Sequence, residues 1–343
     1  VSRRPRRGTL GAAVVLLCAL AGPAPAQDRA ADARREGKVG WYTVMALKTA
    51  ERVARLFERA HPGIQVEVNR AGSERLLQRL LHEASAGIRN CDVFETGDSG
   101  HIVLLKRRRL LARYAPAGSE RAPAAFQDKD QLAFAWRAFA VVLEYDARLV
   151  PKREAPTTWK DLLDPKWKGK LVTAHPGYAA SVVSQVAALV DLYGWDYWKA
   201  LARQKPLLVQ SVHDPFQTIL SGERAIAVNG ADYYAWSQRR RGQAGDVEIV
   251  YPRDGVPFVP VHVGVIATAP RPAAGRLFID FLFSRPIQQL MADEEGSWVV
   301  DPDVAYPRDR PRLADLKLLR LDPDDLERRS EEIKRRFAEL FGA

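Results

Sequence analysis

The chain has 343 residues, enough for one large or two medium domains, and a net charge of +10. Four arginines fall in the first 26 residues, which hold no acid, so removing those four leaves the remainder at +6. Its basic runs, Lys106 to Arg109 and Arg239 to Arg241, are short, follow predicted helices and lack interleaved aromatics, which excludes a nucleic-acid patch as an organising feature.

Residues 1–26 read as a secretory signal: a basic start, an apolar run from Leu10 to Leu20, and Ala24-Pro-Ala26 as a small-residue cleavage site. The apolar run is too short to span a membrane, which needs about 20 residues, and Cys18 lacks the small preceding residue of a lipoprotein signal. The mature protein is expected to start at Gln27, as an exported periplasmic monomer. Cys91 is then its one cysteine, so it has neither an internal disulfide nor a cysteine-based zinc site.

Residues 27–37 are polar and without period, and read as a loose leader. Val39 to Thr43 predicts a strand. Ala50, Val53, Leu56, Phe57 and Ala60 lie at helical spacing and stop at Pro62-Gly63, while Ile64, Val66 and Val68 alternate as a second strand. Ser73 is placed to cap a helix with Leu76, Leu77, Leu80 and Leu81 on one face, and Cys91 to Phe94 is a third strand. This β-α-β-α-β order predicts a parallel sheet with right-handed crossovers.

Residues 115–131 read as a surface excursion. Phe134 to Tyr145 is long and apolar enough to cross from one lobe to another, and Phe258 to Ala267 to return. Between them the pattern predicts a strand at Leu171 to Thr173, helices over 182–194 and 195–203, a strand over 207–212 and a helix opening at Pro215. A further strand, Ala225 to Val228, is expected to break at Asn229-Gly230, with Asp232 capping a helix that carries Tyr233 and Tyr234 in its first turn. Helices are expected over 273–283, 287–292 and 324–341.

The fold class expected is therefore α/β, two lobes each built on a mostly parallel sheet with flanking helices. Residues 38–138 with 263–343 form the first lobe and 139–262 the second. Ligands of such sheets bind at strand carboxyl ends. Those ends carry Tyr42-Thr43, Gly72-Ser73, Asp98-Ser99, His175 to Tyr178 with Ser181, and Asn229 to Tyr234. Singly, each serine or aspartate is explained as a helix cap. Together they suggest a ligand cleft floored by helix N-termini, which favour an anion. No Gly-x-Ser-x-Gly, phosphate-loop, His-Glu-x-x-His or dinucleotide fingerprint occurs, so no enzyme and no cofactor is expected.

Several strings carry a family resemblance: Gly40-Trp-Tyr-Thr43, His61-Pro-Gly-Ile-Gln-Val66, Arg70-Ala-Gly-Ser73, Cys91-Asp-Val-Phe94, Tyr193-Gly-Trp-Asp-Tyr197 and Asp232-Tyr-Tyr234. The most specific is Thr158-Trp-Lys-Asp-Leu-Leu-Asp-Pro-Lys-Trp-Lys-Gly169. The chain resembles the periplasmic substrate-binding proteins of ABC importers. It is similar to the ferric-iron-binding branch of the extracellular solute-binding proteins with the type II bilobal fold. The resemblance implies a receptor that closes on a small ligand and presents it to an inner-membrane permease. It also implies Fe³⁺ as cargo, held by Tyr233 and Tyr234 as phenolates with Asp98 as a third ligand and a synergistic anion at Ser73 and Ser181. The chain departs from that branch in two places: Val44 to Leu47 holds no histidine, and the carboxylate position falls on Gly97, leaving Asp98 as its neighbour. Related branches bind organic anions, including phosphate esters and phosphonates.

Overall fold

A computed structural model describes Val1, residues 26–123 and residues 126–342 of the chain. The expected signal segment, Cys18 included, lies outside the described residues except at its two ends. In chain order the first half comprises α1 (Ala26–Glu36), β1 (Lys38–Thr43), α2 (Leu47–Ala60), β2 (Gln65–Arg70), α3 (Ser73–Ser85), β3 (Val93–Thr96), α4 (Ser99–Arg107) and β4 (Phe134–Asp146). Next come β5 (Leu171–Ala174), α5 (Ala180–Tyr193), α6 (Trp195–Arg203), β6 (Leu207–Val209), α7 (Asp214–Leu220), β7 (Ile226–Ala231), α8 (Asp232–Arg240) and β8 (Val247–Val250). The chain closes with β9 (Val256–Val265), α9 (Pro272–Phe283), α10 (Arg285–Leu290), β10 (Trp298–Val299), β11 (Leu318–Leu319) and α11 (Pro323–Phe341). None of these helices is long and apolar enough to cross a membrane.

Two lobes share one strand. Strands follow the order β2-β1-β3-β9-β4-β7-β5-β6, with β8 and β10 also on β4 and β11 on β9. Pairing is parallel among β2, β1 and β3 and among β6, β5 and β7, and antiparallel wherever β4 takes part. All thirteen residues of β4 are buried. Phe134 to Ala140 pair with β9, and Val141 to Asp146 pair with β7 and β8, so the strand changes partners between Ala140 and Val141. A run that is apolar except at Arg137, Glu144 and Asp146 suits a strand covered on both faces. The first lobe packs Trp41, Phe57 and Phe278 edge to face, with centroids 5.0 Å apart for the Trp41–Phe278 and Phe57–Phe278 pairs. The second packs Trp159, Trp198 and the apolar face of α5. Both arrays bury aromatic surface in interlocked geometry.

Three expectations need correction. Residues 27–37 are not a loose leader: through Glu36 they form α1. Ala33 is buried, Arg29 pairs with Asp280 at 3.1 Å, and the Glu36 carboxylate accepts from the N–H groups of Ala273 and Ala274 at the start of α9. A carboxylate is stabilising at a helix N-terminus, which is why this polar segment docks. Asn229-Gly230 does not break its strand, since β7 runs through it to Ala231. The glycine is required by space: a Cβ there would lie 2.3 Å from the Glu144 side chain. Asp232 is not a side-chain cap either, because its carboxylate accepts from the Ala140 N–H and pairs with buried Arg310 at 2.7 Å.

The C-terminal helix touches both lobes. α11 buries Leu326, Ile333 and Phe337. Phe337 lies 5.7 Å from Trp198 and 5.3 Å from His175 in the second lobe, while Lys334 pairs with Glu74 of α3 at 2.9 Å in the first.

Candidate functional site

Between the lobes lies a cavity of about 300 Å³. From the first lobe Arg70, Gly72, Ser73 and Arg75 enter it, at the end of β2 and the start of α3. Arg137 and Phe139 of β4 line it centrally, and Tyr178, Ser181, Ser211, Asp214 and Tyr233 enter from the second lobe. The lobes are in contact across it. Arg75 Nη2 donates to Gln210 Oε1 at 3.1 Å and its guanidinium lies 5.5 Å from the Tyr178 ring centroid. A Cβ on Gly72 would lie 2.6 Å from the Tyr178 carbonyl oxygen. Gly72 has an ordinary extended backbone (φ −67°, ψ 152°), so it is the approach of the second lobe that demands glycine here.

The wall chemistry is cationic and rich in donors. Arg137 is 1% exposed, and its Nη2 donates to Glu95 Oε1 at 2.8 Å. Its Nε and Nη1 find no partner among the described residues. The other Glu95 oxygen accepts the Thr43 hydroxyl, whose own oxygen accepts from the Met45 N–H at 3.1 Å. Burial alone would lower the Arg137 pKa, but Glu95, Glu295 and Tyr233 outweigh it and keep the guanidinium charged. Both α3 and α5 begin at the cavity with no side-chain cap, so their first N–H groups and positive dipole ends face it.

Tyr233 lies 3% exposed, with its hydroxyl 2.7 Å from His213 Nε2. Burial pushes this phenol well above its ordinary pKa, against the opposing charge of Arg137. His213 in turn is held down to about 3, by burial first and then by Arg70 and Arg137. Its Nδ1 lies 3.4 Å from Arg70 Nη2, across the cavity.

Of the residues expected at the site, Ser73, Tyr178, Ser181 and Tyr233 line the cavity. The others are placed elsewhere, each for a visible reason. Tyr42 is fully buried and donates to Glu83 beneath Arg79, and Thr43 sits beneath the cavity on Glu95. Asp98 caps α4 by accepting from the Gly100 N–H at 2.7 Å, and Ser99 lines a separate cavity of about 500 Å³ beside the start of α11. His175 accepts from the Gly177 N–H and packs on Phe337. Asn229 ties β7 to β5 by accepting from the Ala174 N–H at 2.9 Å. Tyr234 turns away, stacked on the far side of His213 at 4.2 Å with its hydroxyl accepting from Gln217 Nε2. The structure therefore does not bring Tyr234 and Asp98 together with Tyr233.

A group with metal-ligand geometry does exist nearby: Glu74, Asp98 and His101 offer atoms within 4.8 Å of one another. The Lys334 ammonium already supplies Glu74 with a cation. Arg75 and Arg137 are not expected at the site from the sequence, Arg70 stands there only within a family string, and His213 ranks below His101 and His175 as a ligand contact. For Arg137 a signal was present, since a lone arginine inside a long apolar strand must be paired or functional.

The sequence pattern of the bacterial extracellular solute-binding proteins matches residues 43–294. The chain is 30% identical over 156 residues to an uncharacterized protein of Haemophilus influenzae, a match covering 44% of either chain. It is 26% identical over 260 residues to iron uptake protein A1 of Synechocystis, covering 70% of each. Its fold is similar to that of the periplasmic binding protein AfuA of Actinobacillus pleuropneumoniae, solved with fructose-6-phosphate bound. That comparison gives a TM-score of 0.80 and 20% identity, covering 90% of this chain and 99% of that one.

Proposed function

The chain belongs to the bacterial extracellular solute-binding protein family, and from that premise we propose that it captures a small organic oxyanion of the phosphate-ester or phosphonate class. On this reading the exported protein closes its lobes about β4 and β9 and delivers the ligand to an ABC permease in the inner membrane. The observation that carries the ligand class is Arg137: a buried guanidinium at the cavity with Nε and Nη1 uncommitted. Both atoms lie beneath the cavity surface, so what reaches an oxyanion there is the charge of the Arg137 guanidinium. Arg70, the uncapped starts of α3 and α5 and the hydroxyls of Ser73 and Ser181 supply further donors to the same charge.

A second reading, ferric iron carried with a synergistic anion, is favoured by the likeness to an iron uptake protein. It keeps Tyr233 as a phenolate and asks Tyr234 to leave its stack on His213. Thermal unfolding with inorganic phosphate, glycerol 3-phosphate, methylphosphonate and ferric citrate separates the two. An oxyanion at a hundredfold excess over its Kd stabilises by about 2.7 kcal/mol, and the protein stays colourless. A coloured complex with ferric citrate, bleached by Tyr233→Phe, together with no response to the oxyanions, would overturn the first reading in favour of the second.

A further inference from the structure

We infer that His213 is a positioning residue that fixes the Tyr233 hydroxyl as a hydrogen-bond donor to the ligand, and that it does so only when the lobes are closed. The proton positions follow from the partners. Guanidinium has donors and no acceptor, so Arg70 Nη2 at 3.4 Å makes His213 Nδ1 the acceptor. A neutral imidazole carries a single N–H, which then sits on Nε2. That N–H donates to the Tyr233 oxygen at 2.7 Å. The phenol's own proton is left with no acceptor among the described residues, and Tyr233 lines the cavity. The ligand must therefore present an oxygen lone pair there; an ammonium or amide N–H at this point meets a donor.

Arg70 ends β2 in the first lobe, whereas His213 precedes α7 in the second, 143 residues on. Opening the lobes removes the partner of Nδ1 and frees the imidazole to exchange tautomers. Closure and the donor state of Tyr233 are thus linked, and a ligand that accepts from Tyr233 must favour the closed form by the same factor. Tyr234, stacked on the ring at 4.2 Å, holds the imidazole plane in place.

This inference rests on the oxyanion reading, and the test keeps the two separate. Glycerol 3-phosphate is titrated calorimetrically into the full chain and into variants at positions 213 and 233, with thermal midpoints as the folding control. In the native background Tyr233→Phe should weaken binding by about tenfold, the loss of one hydrogen bond to a charged acceptor. In a His213→Glu background the carboxylate takes the phenol proton, and Tyr233→Phe should then cost less than twofold. His213→Gln offers an oxygen to Arg70 and an N–H to Tyr233, and should restore the tenfold cost. An equal cost of Tyr233→Phe in all three backgrounds overturns the inference and leaves the oxyanion reading standing. No binding of glycerol 3-phosphate, inorganic phosphate or methylphosphonate to the native chain overturns the oxyanion reading itself. Independently of the variants, nitrogen-15 NMR of the ligand-saturated protein should show His213 as the Nε2–H tautomer, and an Nδ1–H signal overturns the inference directly.

Discussion

Two histidines are buried near the interlobe cavity, and their surroundings are opposite. His101 on α4 has Glu74 at 3.1 Å and Asp98 at 3.6 Å from Nε2, the Thr96 hydroxyl on Nδ1, and Lys334 closing the far side of Glu74. Burial opposes its charge, but the two carboxylates outweigh burial and raise its pKa. His213 faces a guanidinium and a phenol and stays neutral. Carboxylate, imidazole and ammonium balance the charge of the first cluster, although one Asp98 oxygen is without a hydrogen bond. The second ends in donors that nothing among the described residues accepts. A polar cluster completed by its own chain is structural, whereas one left short of a single kind of partner describes what it is built to receive.

The largest expected effect is at Arg137. Replacing it by Met removes the cation from buried Glu95, and leaving one member of a buried pair costs about 3–5 kcal/mol. Ligand binding should disappear as well. Chemical denaturation and calorimetry check both, and a double variant with Glu95→Gln should recover most of the stability without the binding. Binding retained in the double variant would remove the donor-rich cluster from the site.

Gly72→Ala comes next and acts on closure alone. The added Cβ meets the Tyr178 carbonyl at 2.6 Å, yet the backbone at Gly72 suits alanine. Overpacking of this kind costs about 1–3 kcal/mol. It should appear as weaker ligand affinity and loss of ligand-induced compaction in solution scattering, with the ligand-free melting temperature unchanged. A fall in that melting temperature would show that the two lobes stay together without ligand.

Lys334→Met tests the charge-balanced cluster. Glu74 keeps His101 as a partner, so the loss should be smaller, about 1 kcal/mol, with ligand affinity untouched. A marked loss of affinity would mean that α11 takes part in closure.

The sequence made the lobes legible because apolar period and strand-end chemistry are local. Ser73, Tyr178, Ser181 and Tyr233 could be placed near a cleft because each lies just beyond a strand or opens a helix. Which neighbour turns inward is set by contacts from elsewhere in the chain. Tyr233 and Tyr234 are adjacent and read alike, but Phe216 and Gln217 of α7 draw the second away. Asp98 and Asn229 go to backbone N–H groups whose need for an acceptor arises only once the helix or sheet is assembled. Arg137 depends on Glu95, 42 residues away on another strand, and His213 on Arg70 from the opposite lobe.

The last effect is a difference of slope. His101 binds its proton more tightly folded than unfolded, so its contribution to stability is complete below the unfolded pKa of about 6.5 and is lost as pH rises through the raised folded value. His213 behaves the other way, because its folded pKa is held down to about 3. Between that value and about 6.5 the unfolded chain takes up a proton that the folded chain refuses. Stability therefore falls with falling pH, by about 1.4 kcal/mol per unit for one full proton. Unfolding free energies measured from pH 4 to pH 8 on the ligand-saturated protein should show both limbs. His213→Gln should flatten the acid limb and leave the alkaline one, and His101→Gln should do the reverse. The assignment is testable because the groups facing each ring differ in sign: Arg70 and Arg137 oppose a proton on His213, whereas Glu74 and Asp98 attract one to His101 against Lys334. If both variants changed the same limb, the contrast between the two clusters would reduce to burial alone.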